Sequence, residues 1–140
     1  MKNSLFHVSS VYSGHRYFLS SKLNTIEVKF AASTCALYGG YLVEINSYNE
    51  MKFLKNFLSA YPDYTLVLTG GNDEGIEGHW FNRYSGTSMA YLNWAGGEPN
   101  EGRGANCLYL WRERSMQMCD NACYLTSTSF NLGYLCKIPA

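Results

Sequence analysis

The first sixty residues carry a clear alternation of apolar and polar positions. Val11 and Tyr12 stand before Gly14, and Tyr17 and Phe18 follow it. From Val8 to Leu19 this pattern predicts strand with a turn just before Gly14-His15-Arg16-Tyr17-Phe18. Asn24-Thr25 offers a helix N-cap, with Glu27 completing a capping box from Asn24. Phe30, Ala31, Cys35 and Tyr38 then recur at helical spacing, which predicts a helix that buries Cys35 and stops at Gly39-Gly40. Tyr41 to Ile45 is short and β-rich. Ser47-Tyr48-Asn49-Glu50 is a second capping box, opening a helix with Met51, Leu54, Phe57 and Leu58 on one face. Pro62 is expected to end it.

Beyond Pro62 the pattern changes. Thr65 to Thr69 reads as a buried strand, and Gly70 to Gly78 reads as a loop too polar and glycine-rich to pack apolar surface. Trp80 and Phe81 return the chain to strand. The 13 glycines concentrate between Gly70 and Gly104, and a long irregular region inside a compact domain is usually functional. Leu108 and Leu110 predict a strand after Cys107. Tyr134 to Ile138 predicts a closing strand. With no internal repeat or linker, residues 1–140 read as a single domain of α+β class.

Composition narrows the function. Eleven basic and eleven acidic residues balance, so bulk charge favours neither nucleic acid nor an anionic membrane surface. No apolar run reaches the roughly 18 residues of a membrane span. The N-terminus lacks the apolar core of a signal peptide. This predicts either a mature form with an added Met1 or a chain not exported by that route. Cys35, Cys107, Cys119, Cys123 and Cys136 have no histidine beside them, and His7, His15 and His79 are scattered. A disulfide framework with one cysteine over therefore fits better than zinc, and it implies an oxidising, extracellular setting.

The candidate chemistry lies between Trp94 and Cys123. Glu98-Pro99-Asn100 sets a carboxylate and an amide on either side of a proline, and Cys119-Asp120-Asn121-Ala122-Cys123 supplies a second carboxylate. Such oxygens ligate hard cations and also grip adjacent sugar hydroxyls. Taken with Asn93-Trp94 and Cys107, this order of motifs resembles the C-type lectin-like domain family. Other stretches are similar as well: Ala31 to Val43 around Cys35 and Gly39, Glu50 to Leu54, Gly71 to Trp80, and Tyr91 to Trp94.

The resemblance implies two helices packed on small antiparallel sheets with a long loop carrying the ligand site. It implies the pairs Cys35–Cys136 and Cys107–Cys123, and a cis Glu98–Pro99 bond. It also implies a principal Ca²⁺ site in which Glu98, Asn100 and Asp120 match. Ala105 and Cys119 stand where two further oxygen ligands are expected, and Met118 replaces a usual Trp. An auxiliary Ca²⁺ site would use Asp73, Glu77, Glu101 and Asn106. The competing reading of these polar residues is solvated turns. The chain departs again at Leu68-Thr69-Gly70, where Trp-Ile-Gly is common, and lacks the extra N-terminal cysteine pair of long-form members.

The function implied is a secreted, non-catalytic lectin that binds glycans through Glu98, Asn100 and Asp120. Trp111 or Tyr109 is a candidate to stack on the sugar, with ordinary packing the favoured reading of both. The other reading is a domain of the same fold that binds protein or a mineral surface. Glu98 with Asp120 as an acid and base pair for glycoside hydrolysis is disfavoured by the resemblance. Arg112-Glu113-Arg114 reads as an exposed turn, and Trp80 and Trp94 as core. Cys119, left over and expected near the surface, predicts a disulfide-linked homodimer, with a small buried thiol as the competing reading.

Overall fold

A computed structural model describes residues 5–100 and 104–140. Along the chain run β1 (Phe6–Val8), β2 (His15–Ser20), β3 (Thr25–Glu27), α1 (Val28–Leu37), β4 (Tyr41–Leu42) and α2 (Tyr48–Leu58). Then follow β5 (Tyr64–Asn72), β6 (Phe81–Asn82), β7 (Cys107–Trp111), a 3₁₀ turn (Arg112–Arg114), β8 (Gln117–Asn121), β9 (Tyr124–Thr126) and β10 (Asn131–Pro139). The main sheet has the order β1-β2-β10-β5-β7-β8, with β4 paired to β10 and β6 to β5, while β3 and β9 form a small separate pair. The pairings are antiparallel except for β10 with β5, which is parallel. This is the α+β architecture that the resemblance implies, apart from that parallel pair.

Two clusters fill the two faces of the sheet. Met51, Leu54 and Leu58 of α2 pack with Val67, Leu108, Leu110 and Met118 on one face. Val28, Ala31 and Cys35 of α1 pack with Leu66, Leu68, Tyr109 and Cys119 on the other. Leu66, Val67 and Leu68 thus divide between the faces as strand alternation requires.

The second capping box forms as expected: Ser47 accepts from Glu50 N–H at 3.1 Å. Glu50 reaches back to Asn46 N–H at 2.8 Å, one residue before the cap itself. The helix ends at Leu58 with Ser59 as C-cap, before Pro62. The first helix differs more. Asn24 does not cap it; Thr25 to Glu27 pair with β9, and Glu27 is the cap, accepting from Phe30 N–H at 3.0 Å. The buried face of the helix is Val28, Ala31 and Cys35, so Cys35 is buried as expected while Phe30, off that face, is 77% exposed. The expected strand from Val8 splits into a hairpin of β1 and β2. Strand β5 runs through Gly70 and Gly71, which the sequence pattern assigns to loop. Thr69 explains it: its hydroxyl donates to Leu108 O at 2.9 Å and accepts from Gly71 N–H at 3.1 Å, carrying β5 across a bulge against β7. At Gly70 a Cβ would stand 2.8 Å from Leu42 O, so only glycine permits that approach.

Both disulfides form as the resemblance implies, Cys35–Cys136 and Cys107–Cys123. The first ties α1 to β10. One residue on, Lys137 donates to Glu50 of α2 at 2.7 Å and to Glu44 O at 3.0 Å, and Tyr17 also donates to Glu50. Lys137 and Glu50 are 7% and 5% exposed, so each charge needs the other. Lys137→Met, which strands the buried carboxylate, is expected to cost about 3–5 kcal/mol in urea unfolding. The double variant Lys137→Met/Glu50→Leu is expected to recover much of that loss.

Candidate functional site

The long segment between β5 and β7 is drawn onto the sheet at a few points. Tryptophans Trp80 and Trp94 meet edge to face at 5.1 Å and pack on the α2-side core, as expected. Asn93 and Ala95 bracket the edge strand β8: Met118 N–H donates to Asn93 O and Ala95 N–H to Met118 O, both at 2.8 Å. Beyond this clamp the Glu98–Pro99 bond is cis, and Asn100 N–H donates to Asp120 Oδ1 at 3.0 Å. That contact places the Glu-Pro-Asn turn against the end of β8. Glu98 is half-buried, Asn100 exposed, and Asp120 buried at 4% exposure.

Glu98, Asp120 and Trp111 line one cavity of about 290 Å³. The register refines this. Trp111 pairs with Gln117 and Leu108 with Asp120, so alternation puts Trp111 and Cys119 on the α1-side face and Asp120 on the other. The cavity therefore wraps the outer edge of β8. Arg114 stacks on the Trp111 ring with its guanidinium carbon 4.9 Å from the centroid. Tyr109 is different: it is fully buried and its hydroxyl donates to Ala122 O at 2.6 Å. Burial raises its pKa. The expectation that Tyr109 could stack on a ligand is corrected by its position under the strand pair.

The second candidate group lies where β5 ends. Asp73 is buried. Its N–H donates to Asn106 O at 3.1 Å, and its Oδ2 accepts from Gly78 N–H at 2.9 Å, closing the loop that carries the exposed Glu77. Asp73 Oδ1 and Asn106 Oδ1 are buried without a hydrogen-bond partner among the described residues. Glu101 lies outside the described residues. Beside this loop Glu74 pairs with Arg83 at 2.9 Å and stands 3.3 Å from Cys123 Sγ. Glu74 with Cys107 and Cys123 has the spacing of a metal site, but these sulfurs are joined in a disulfide and cannot act as thiolates.

Residues 24–138 match the model of the Lectin C-type domain. The chain belongs to the C-type lectin domain family. It is 30% identical over 126 residues to C-type lectin 37Db of Drosophila melanogaster, covering 88% of this chain and 77% of that one. Among solved structures it superposes on the carbohydrate-recognition domain of the mouse scavenger receptor C-type lectin with a TM-score of 0.75 at 21% identity, covering 97% of this chain and 94% of that one. It superposes equally well in outline on a calcium-independent type II antifreeze protein, with a TM-score of 0.73 at 18% identity over 100% and 95% of the two chains. The two structural likenesses establish the fold.

For a C-type lectin domain the two candidate metal groups fit differently. At the first, Ala105 is a buried methyl and Cys119 offers sulfur, leaving Glu98, Asn100 and Asp120 to a cation that takes about six to eight oxygens. At the second, two buried oxygens lack hydrogen bonds, which is costly unless something else satisfies them. This donor set fits a hard cation.

Three further roles emerge only in three dimensions. Arg112 is no free turn residue: its guanidinium donates to Tyr64 O, Leu58 O and Tyr61 O at 3.1, 3.0 and 2.7 Å, and desolvation lowers its pKa. Glu113 and Phe130 join the cavity wall, and no sequence motif marks either.

Cys119 overturns an expectation. It lies outside both disulfides and is 5% exposed, packed in the α1-side core, so the surface position assumed for an intermolecular bridge is wrong. Its place opposite Tyr109 in the β7–β8 ladder buries the thiol against the sheet. Non-reducing electrophoresis is expected to show a monomer band. An Ellman titration is expected to find one slowly reacting thiol in the native protein and rapid reaction after unfolding.

Proposed function

We propose that the chain is a non-catalytic carbohydrate-binding module whose sugar site is built from Glu98, Asn100 and Asp120. The observation that supports this reading is the 3.0 Å bond from Asn100 N–H to Asp120. It holds the two separate sequence motifs on one surface, leaving an amide side chain exposed beside two carboxylates. A carboxylate accepts hydroxyl protons, and an amide both donates and accepts, so the pair suits two adjacent sugar hydroxyls. Trp111, on the far side of the β8 edge, is placed to contact a sugar that extends into the cavity rather than one confined to the Asp120 side.

Calcium belongs to this reading chiefly through Asp73, Asn106 and Glu77. A bound ion would neutralise the carboxylates there and tie the Asp73–Gly78 loop to the strand entering the sheet at Asn106. The protein is proposed to act outside the cell, since disulfides such as these persist in oxidising compartments. Among the described residues no helix is long and apolar enough to cross a membrane. A bivalent homodimer would gain avidity, but it has to associate through a surface other than Cys119. One observation favours the second reading, binding of protein or mineral without sugar: Ala105 and Cys119 remove two oxygens from the principal site.

A glycan array run with Ca²⁺ and again with EDTA decides between the readings. Retained glycan binding is expected, and no binding in either condition would favour the second. Calorimetric titration of Glu98→Gln and Asp120→Asn is expected to show affinity reduced about ten- to a hundredfold, the loss of one charge-assisted hydrogen bond. Unchanged affinity in both would place the sugar elsewhere. Calcium at about a hundred times its dissociation constant should stabilise the native protein by about 2.7 kcal/mol in thermal or urea unfolding. Asp73→Ala should abolish that gain.

A further inference from the structure

The Cys107–Cys123 disulfide has a carboxylate resting on it. Glu74 Oε2 stands 3.3 Å from Cys123 Sγ and 4.0 Å from Cys107 Sγ, and the three ligand-type atoms lie within 4.8 Å of one another. Arg83 Nη2 donates to the same carboxylate oxygen at 2.9 Å and lies 3.7 Å from Cys107 Sγ. Cys107 is buried, Cys123 half-buried and Glu74 exposed, so the group opens to solvent through Cys123 and Glu74.

Each member is held by contacts that do not need the S–S bond. Cys107 lies in β7, paired with Asn72 of β5 and with Asn121 of β8. Cys123 is fixed through its backbone: the Tyr109 hydroxyl donates to Ala122 O at 2.6 Å, Val28 N–H to Cys123 O at 3.0 Å, and Tyr124 pairs with Glu27. Glu74 is fixed by Arg83 and by its own N–H, which donates to Asn72 Oδ1 at 3.2 Å. Breaking the disulfide therefore leaves two sulfurs and a carboxylate converging on one point. Joined sulfurs do not ligate as thiolates, but separated ones are soft donors that together with a carboxylate suit zinc. Tetrahedral zinc sets its sulfurs about 3.8 Å apart, given Zn–S bonds of about 2.3 Å, and Glu74 Oε2 already stands at about that distance from both. Two thiolates and a carboxylate outweigh Arg83 by the two charges that Zn²⁺ brings.

We infer that Cys107, Cys123 and Glu74 form a redox-gated Zn²⁺ site, closed while the disulfide is intact and opened by its reduction. The reductant is a dithiol: the Cys107–Cys123 bond breaks, both sulfurs take protons from the dithiol, and the dithiol closes to its own disulfide. Zn²⁺ then displaces the two protons to solvent, and water fills its fourth position. The metal replaces the covalent tie at the end of the β7–β8 hairpin, so the hairpin keeps its closure in a reducing setting.

Anaerobic titration of the intact chain with Co²⁺, a coloured stand-in for Zn²⁺, tests this. The chain is first reduced with a phosphine, which takes up the oxygen of a water molecule and leaves that water's two protons on the sulfurs. Ca²⁺ is present throughout to occupy hard-cation sites. Reduced wild type is expected to take one equivalent with thiolate-to-cobalt charge-transfer absorption, which Zn²⁺ abolishes by displacement, and the oxidised chain is expected to show none. Cys119→Ser should bind as wild type does, and Cys107→Ser/Cys123→Ser should show no absorption. Glu74→Gln, a change at an exposed residue, should keep the absorption but weaken binding by at least the roughly ten- to hundredfold that loss of a supporting partner costs. Zn²⁺ should raise the Tm of the reduced chain and leave that of the oxidised chain unchanged. No charge-transfer absorption in the reduced wild type would overturn the site. So would absorption that survives in Cys107→Ser/Cys123→Ser or vanishes in Cys119→Ser, or an unchanged affinity in Glu74→Gln. Loss of the native circular dichroism on reduction, with and without Zn²⁺, would also overturn it, because the ligands depend on the ladder that holds them.

Discussion

A buried ammonium needs a counter-ion, and in this protein that need organises the sheet. Lys137 sits in β10 and reaches Glu50 at the start of α2, while Cys136 beside it is bonded to Cys35 of α1. Adjacent residues of one strand point to opposite faces, so β10 fastens one helix covalently on one side and the other helix ionically on the other. The same strand pairs with β2, β4 and β5. Both helices, the N-terminal hairpin and the central strand are thereby referred to one element. The candidate site is three strands further on, at β8, and inherits its position through β5 and β7.

The site itself is held more lightly. β7 and β8 are joined by their ladder and by Cys107–Cys123, but the loop that supplies Glu98 and Asn100 touches them through a few hydrogen bonds, among them Asn93, Ala95 and Asn100. A rigid carboxylate on a strand faces an amide and a carboxylate on a loop. That division suits a binding surface, where the sheet fixes one partner of the grip and loop chemistry tunes the other.

Much of this was legible in the sequence, and the failures have physical causes. The capping box at Ser47 and Glu50 and the periodicity of α2 announced that helix, because local hydrogen bonds and one buried face determine it. Asn24 misled because a nearby strand pairing, Thr25 to Glu27 with β9, took residues that a local rule gives to a cap. Gly70 and Gly71 read as loop because glycine normally breaks strands, whereas here the backbone of β4 approaches too closely at Gly70, and Leu108 and Met89 pack too closely at Gly71, for a side chain. Glu98, Asn100 and Asp120 were legible as chemistry through their motifs. The cavity was not: Glu113 and Phe130 reach it from separate parts of the chain, and only topology brings them together. Cys119 read as a surface residue because an odd cysteine suggests a partner, and only strand register reveals that its side chain faces the core.

The central claim is that sugar engages the surface where the Glu-Pro-Asn turn meets β8. The Asn100 amide, bonded to Asp120, reports on it directly. Amide chemical shifts should be followed by NMR while a glycan identified as a binder is titrated in. The account predicts that the largest shifts fall on Asn100, its neighbours in the loop and residues of β8, with those of α1 and the β1–β2 hairpin unmoved. Shifts confined to α1 or that hairpin, with Asn100 unchanged at saturation, would contradict it.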